Sequence, residues 1–237
     1  MTSLPQEQLA GLPLAQPGAA DLTDPAALRR ALKVTEAGAP GLDARGQACF
    51  LLGRSVFWGA LALMRLHLAQ GIAPAGALRF AAGTEAHAAT LELPAAFVTV
   101  AHGARLSAIR DALLAPAQGL IAALAQETRL GEAGAWRNVS DNIASGALWA
   151  GRALKREEEA MEEALAMLAE PPLAHRTRPT GFVTVPCPGA APRAFLRRAG
   201  CCRFYTADAG KVCATCVLRA PEEQIAVLQA EVEAETA

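Results

Sequence analysis

The sequence predicts a mainly α fold with a minor β element, and three observations carry that expectation. Hydrophobic residues make up 52% of the 237, yet aromatics are only 5%, so alanine, valine and leucine dominate and helices can approach closely. Apolar residues recur at helical spacing over 47–69 and again from Trp136 to Leu168. Strand character is confined to short runs around residues 89–102 and 182–185. The expected organisation is a flexible leader over 1–23, a helical body over 24–170 and a small cysteine-bearing unit over 171–237.

In chain order, Asp24-Pro25 reads as an N-cap with proline in the first turn and starts a helix through Ala26–Lys33. A glycine-rich loop is expected over 36–46. The helix over 47–69 closes at Gly71 and Pro74. Within it, Arg54 and Arg65 bound an uncharged run of ten residues, short of the roughly twenty that cross a bilayer. A buried core helix is expected there, with no transmembrane segment. Ala89–Leu93 and Ala96–His102 are expected to form a two-stranded feature. Leu106–Ala115 and Ala117–Leu130 read as helical, kinked or divided by Pro116. The pattern from Trp136 runs on through Met161, Leu165 and Leu168, with Glu157–Glu163 on the wet side, and Pro171-Pro172 stops it. Pro172, Pro179, Pro186, Pro188 and Pro192 then mark a boundary. Pro221 with two glutamates opens a last helix carrying Ile225, Leu228 and Val232.

Four of the six cysteines, Cys201, Cys202, Cys213 and Cys216, fall within sixteen residues. The CxxC pair can reach one metal centre from a single turn, and the adjacent pair needs a bent backbone to do so. Gly200 and Gly210 supply local freedom. With no secretory signal visible, a cytoplasmic address follows, where clustered thiols mean metal or redox chemistry. Four soft ligands fit Zn²⁺ or an iron–sulfur cluster, and a disulfide or redox pair stays open. The motif lacks the histidine of a c-type haem site, the two histidines of a Rieske centre, and the first CxxC knuckle of a zinc ribbon. No GxGxxG pattern follows a strand, so direct NAD(P)H binding has no support. The net charge is −1, and no nucleic-acid partner is expected.

From His175 to Arg219 there are eight basic residues against one acid, Asp208. Such a field offsets thiolate charge or steers an anionic ligand or an acidic donor. Arg197, Arg198, Arg203, Tyr205 and Lys211 are the candidates there for substrate or donor contact or for cluster tuning, with Tyr205 expected to pack over the cysteine loop. Cys49 reads as a buried small hydrophobe and Cys187 as incidental. His67 reads as a core histidine; His87 and His102 are weaker candidates for a pocket. Trp58, Trp136 and Trp149 read as core or pocket wall.

The stretch Arg197-Arg198-Ala199-Gly200-Cys201-Cys202-Arg203-Phe204-Tyr205, followed by Cys213-Ala214-Thr215-Cys216-Val217-Leu218-Arg219, resembles the terminal motif of FhuF-type ferric-siderophore reductases. That family's Cys-Cys-x10-Cys-x2-Cys pattern binds a [2Fe-2S] cluster. The order, the ten-residue gap, the tyrosine three residues after the second cysteine and the closing basic residue all agree. The resemblance implies cytoplasmic one-electron reduction of a ferric siderophore, of hydroxamate or similar type, with Cys201, Cys202, Cys213 and Cys216 as cluster ligands. It implies an electron donor such as ferredoxin, flavodoxin or reduced flavin, and peripheral association with an uptake transporter is a further expectation. Arg198 and Arg203 are expected to stabilise the more negative reduced cluster. Two competing classes remain: a siderophore-binding or interaction module with a structural four-cysteine zinc site, and an iron–sulfur carrier or sensor.

Overall fold

The structure is a computed structural model and describes residues 4–84, 86–187 and 190–236. Pro188 of the proline-rich stretch and the first three residues of the leader lie outside these. Among the described residues the fold is mainly α, with three small antiparallel two-stranded sheets.

Helix α1 (Gln6–Leu9) is a single turn. Helix α2 (Pro25–Gly38) starts where Asp24 accepts the Ala27 amide at 2.8 Å, and it continues into the stretch expected as a loop. The long α3 (Ala44–Gln70) is capped by Asp43, which accepts the Gly46 amide at 2.7 Å, and ends at Gly71. After α3 come β1 (Ala73–Pro74), β2 (Arg79–Ala82), β3 (Ala89–Glu92) and β4 (Phe97–Val98). Then follow α4 (His102–Thr128), α5 (Glu132–Leu154), α6 (Glu157–Leu168), β5 (Gly181–Cys187), β6 (Ala190–Arg197) and α7 (Pro221–Thr236).

The core is built on α3, which is apolar around most of its circumference and is therefore enclosed. Leu52, Val56, Ala60 and Met64 have no solvent exposure, and neither do Val139, Ile143, Ala144 and Ala147 of α5. Small residues let these two helices close on each other: a Cβ on Gly146 would lie 2.7 Å from that of Ala60. By length and hydropathy alone, α3 and α4 could each span a membrane. The apolar window of α3 is 72% buried within the fold, as the core-helix reading expected.

Several elements differ from expectation. Helix α4 runs unbroken through Pro116, because Ile109, Leu113, Ala117, Leu120 and Leu124 keep one face on the core on both sides of it. The long pattern from Trp136 is two helices, not one. Lys155 adopts φ 56°, and α6 folds back so that Ala160, Ala164 and Met167 are buried. The runs at 89–93 and 96–102 do not pair with each other. Instead β3 pairs with β2 and β4 with β1. Strand β5 pairs with β6, which its arginines and proline had hidden.

The leader, expected to be loose, lies along β2 and β3. Leu91 N–H donates to Pro13 O at 2.8 Å, Ala15 N–H to Leu91 O at 2.7 Å, and Leu22 N–H to Phe80 O at 3.0 Å. Leu22 is fully buried. The edges of so small a sheet carry unpaired backbone groups, and the leader satisfies them.

Candidate metal centre

The cysteine loop leaves β6 and crosses α5 at a buried carboxylate. Asp141 accepts the amides of Ala199 at 2.8 Å and Gly200 at 2.9 Å, and the Thr180 hydroxyl at 2.6 Å. Burial raises its pKa against the pull of these donors. Gly200 allows a close approach here, since an added Cβ would stand 3.0 Å from the Asn138 backbone nitrogen and crowd α5. The loop then turns at Arg203, φ 59°, whose guanidinium reaches both oxygens of Asp43 at 2.9 Å. Asp208 N–H donates to Pro40 O at 2.8 Å, and Phe204 packs on Phe50 at 5.4 Å between ring centroids. The segment is thus seated on the start of α3.

The second cysteine pair sits in a tight turn, with Cys216 N–H donating to Cys213 O at 3.0 Å. Arg219 Nε donates to Cys213 O at 3.1 Å. Gln224 of α7 donates to Cys216 O at 2.6 Å, and Arg178 donates to Val217 O.

The four thiols act on one another. Cys202 and Cys213 share a hydrogen bond, and Cys201 and Cys213 each feel Cys202 and Cys216. Of Cys202 and Cys213, Cys202 is the more acidic thiol. The hydrogen bond from Cys213 lowers its pKa, helped by Arg198 and the Phe204 amide, while Cys213 is raised in return. Burial raises Cys201, against the Arg203 amide. The Leu218 amide donates to Cys216 Sγ at 3.5 Å. Soft donors, amides aimed at sulfur and a neighbouring guanidinium are what an iron–sulfur cluster of net negative charge requires. The residues present fit such a group.

Arg198 is the basic residue most engaged with the sulfurs, through Cys202 and Cys213. Burial alone would lower its pKa, but Cys202, Asp141 and Cys213 together raise it. Arg203, also expected to tune the cluster, is paired with Asp43 and feels Cys201 as well. Arg197, Lys211 and Tyr205 are exposed; Tyr205 is 41% exposed. Cys187 is remote in β5, and His87 lines a cavity with the leader. Trp136 is buried, whereas Trp149 is 56% exposed.

Cys49 is buried in the main core, as expected. It lines a cavity of about 180 Å³ with Phe50, Arg54, Asn138, Arg198 and Cys202. Burial pushes its thiol up to about 12, and the charges of Cys202 and Cys201 add to the shift. A second cavity, of about 310 Å³, shares Phe50 and Arg54 with the first and is bounded by Phe204. Asp43, Asp141 and Gln224 were not singled out in the sequence. Only the N-cap position of Asp43, just ahead of an apolar run, carried a local signal.

A helical body holding a four-thiol loop by buried polar clamps has the donor set of a thiolate metal centre. Residues 198–218, which contain all four cysteines, match the FhuF 2Fe-2S C-terminal domain. The resemblance drawn from the motif is thereby borne out, and the cofactor it indicates is a [2Fe-2S] cluster. No curated protein and no solved structure matches the chain.

Proposed function

We propose that this chain is a cytoplasmic ferric-siderophore reductase whose cluster ligands are Cys201, Cys202, Cys213 and Cys216. In this reading residues 24–170 form the substrate-binding body and 171–237 the cluster-bearing unit. The observation that carries it is the match of residues 198–218 to the FhuF 2Fe-2S C-terminal domain, beside a cavity that Cys202 lines and that shares Phe50 and Arg54 with a second one.

When bound, the cluster supplies single electrons. Hard oxygen donors hold Fe(III) far more tightly than Fe(II), so one electron loosens the chelate without breaking the ligand. The protein then needs no nucleophile or general base. Its residues have three tasks. Asp141 and Gln224 fix the two cysteine segments. Arg198 compensates thiolate charge from a largely buried position. Phe50, Phe204 and the exposed Arg54 offer an apolar surface and a cation to an anionic chelate. Arg197 and Lys211, exposed on the basic unit, suit an acidic donor such as a ferredoxin or flavodoxin; reduced flavin is the small-molecule alternative. Peripheral association with an uptake transporter would deliver the chelate.

The test is to reduce anaerobic protein with dithionite and titrate it with ferric hydroxamates. Cluster reoxidation and ferrous-iron capture are followed together. One Fe(II) captured per electron lost is expected. Reoxidation without Fe(II) would leave an electron carrier, and colourless protein with stoichiometric zinc would leave a structural module.

A further inference from the structure

Far from the cysteines, three helices each bring one metal-ligand side chain to a common point. His67 lies near the end of α3, His102 opens α4, and Glu163 faces inward from α6. His67 Nε2 lies 3.0 Å from both Glu163 oxygens, and His102 Nε2 lies 2.6 Å from Oε1. One donor atom from each residue falls within 4.8 Å of the others. We propose that His67, His102 and Glu163 form a binding site for a divalent first-row transition ion, separate from the cysteine centre.

Geometry and donor chemistry support this. Bonds of about 2.1 Å at right angles place neighbouring donors about 3.0 Å apart. The nitrogen–oxygen separations are already close to that, so an ion would need little rearrangement. Two imidazoles and one carboxylate suit ions such as Zn²⁺ or Fe²⁺, whereas Ca²⁺ and Mg²⁺ prefer oxygen throughout. Three protein ligands leave further positions open to water or an incoming ligand.

Access is also present. The side chains of His67 and Glu163 are 3% and 5% exposed, but that of His102 is 57% exposed. An ion can therefore enter past His102 and be held by buried partners. Without an ion, both Nε2 atoms donate to the carboxylate. Binding moves each proton to Nδ1. Nδ1 of His67 is buried without a hydrogen-bond partner among the described residues, so that proton would gain no acceptor there, which weakens the site relative to a fully supported one.

The site does not belong to the electron path. His67 follows Cys49 by eighteen positions on α3, about 27 Å at 1.5 Å per residue. The inference thus stands whether or not the chain reduces siderophores.

Cluster-loaded protein titrated with Co²⁺ provides the test, read by visible d–d absorption and by competition with a chromophoric chelator. One equivalent bound beyond the cluster iron, displaced by Zn²⁺, is expected. His102→Ala, at an exposed position, should weaken binding by about 100-fold with the cluster spectrum unchanged. Glu163→Gln should abolish it, and His87→Ala should leave it intact. Co²⁺ should raise the melting temperature of the parent and not that of His102→Ala. No bound equivalent, or one that survives His102→Ala, would overturn the proposal and leave the trio as a hydrogen-bonded tie between helices.

Discussion

The helical body and the cysteine segment are held by different forces. Along α3 and α5, Leu52, Val56, Met64, Val139 and Ile143 are all fully buried. Each such side chain is worth about 1.5–3 kcal/mol of apolar burial. Across residues 198–219 the buried apolar residues are Ala199, Ala207 and Cys216. This stretch depends on polar clamps reaching in from other elements: Asp141 from α5, Asp43 ahead of α3 and Gln224 from α7. A segment with so little apolar burial cannot order itself by the hydrophobic effect. It depends on those clamps and on its cofactor.

Breaking the strongest clamp should separate the two regions. Asp141→Ala would leave two amides and a hydroxyl without their acceptor beside Arg198, a loss of about 3–5 kcal/mol. The loss should fall on the cysteine segment. Visible cluster absorption is expected to collapse while far-ultraviolet circular dichroism keeps the helical signal of the parent. Simultaneous loss of both signals would mean that body and tail are one cooperative unit.

The same contrast explains what was legible in the sequence. Helices α3 and α5 announce themselves through local periodicity, and the four cysteines through local spacing. The clamps are contacts over long sequence distance. Asp141 meets Ala199 across 58 positions, and within α5 it looks like any polar residue on a helix. The approach of Cys49 to Cys202 was hidden for the same reason, since Cys202 comes from the other end of the chain. His67, His102 and Glu163 sit on three separate helices, so neither spacing nor composition links them. Strand pairing failed similarly: β2 has no alternating pattern, and its register with β3 is set by packing rather than by a turn signal.

A smaller effect sharpens the comparison within the tail itself. Arg198 hydrogen-bonds Cys202, whereas Arg203 spends its charge on Asp43. Arg203 also feels Cys201, but Arg198 is the better placed of the two to stabilise the added negative charge of a reduced cluster. Arg198→Gln should lower the midpoint potential by an amount corresponding to about 1–2 kcal/mol, roughly 40–90 mV for one electron. Arg203→Gln should shift it by less than about half of that. Redox titration followed by visible absorption measures both, and equal shifts would mean that Asp43 does not neutralise Arg203.

The weakest tie is the Asp43–Arg203 pair, whose side chains remain about a third exposed and which is therefore worth no more than about 1 kcal/mol. Asp43→Asn isolates it, because asparagine can still cap α3 by accepting the Gly46 amide. Hydrogen exchange over residues 203–210 should quicken by about 2–5-fold in the variant at pH 7. The Arg203 hydrogen bond, aided by the Gly46 amide, lowers the Asp43 pKa in the folded chain. The contribution is therefore complete above the ordinary aspartate value and disappears as pH falls through the lowered one. Parent and variant, compared at matched pH, should converge on acidification, and they should also converge in high salt, where an exposed pair is screened. A difference that persists under both conditions would assign the tie to packing of Phe204 on Phe50 rather than to charge.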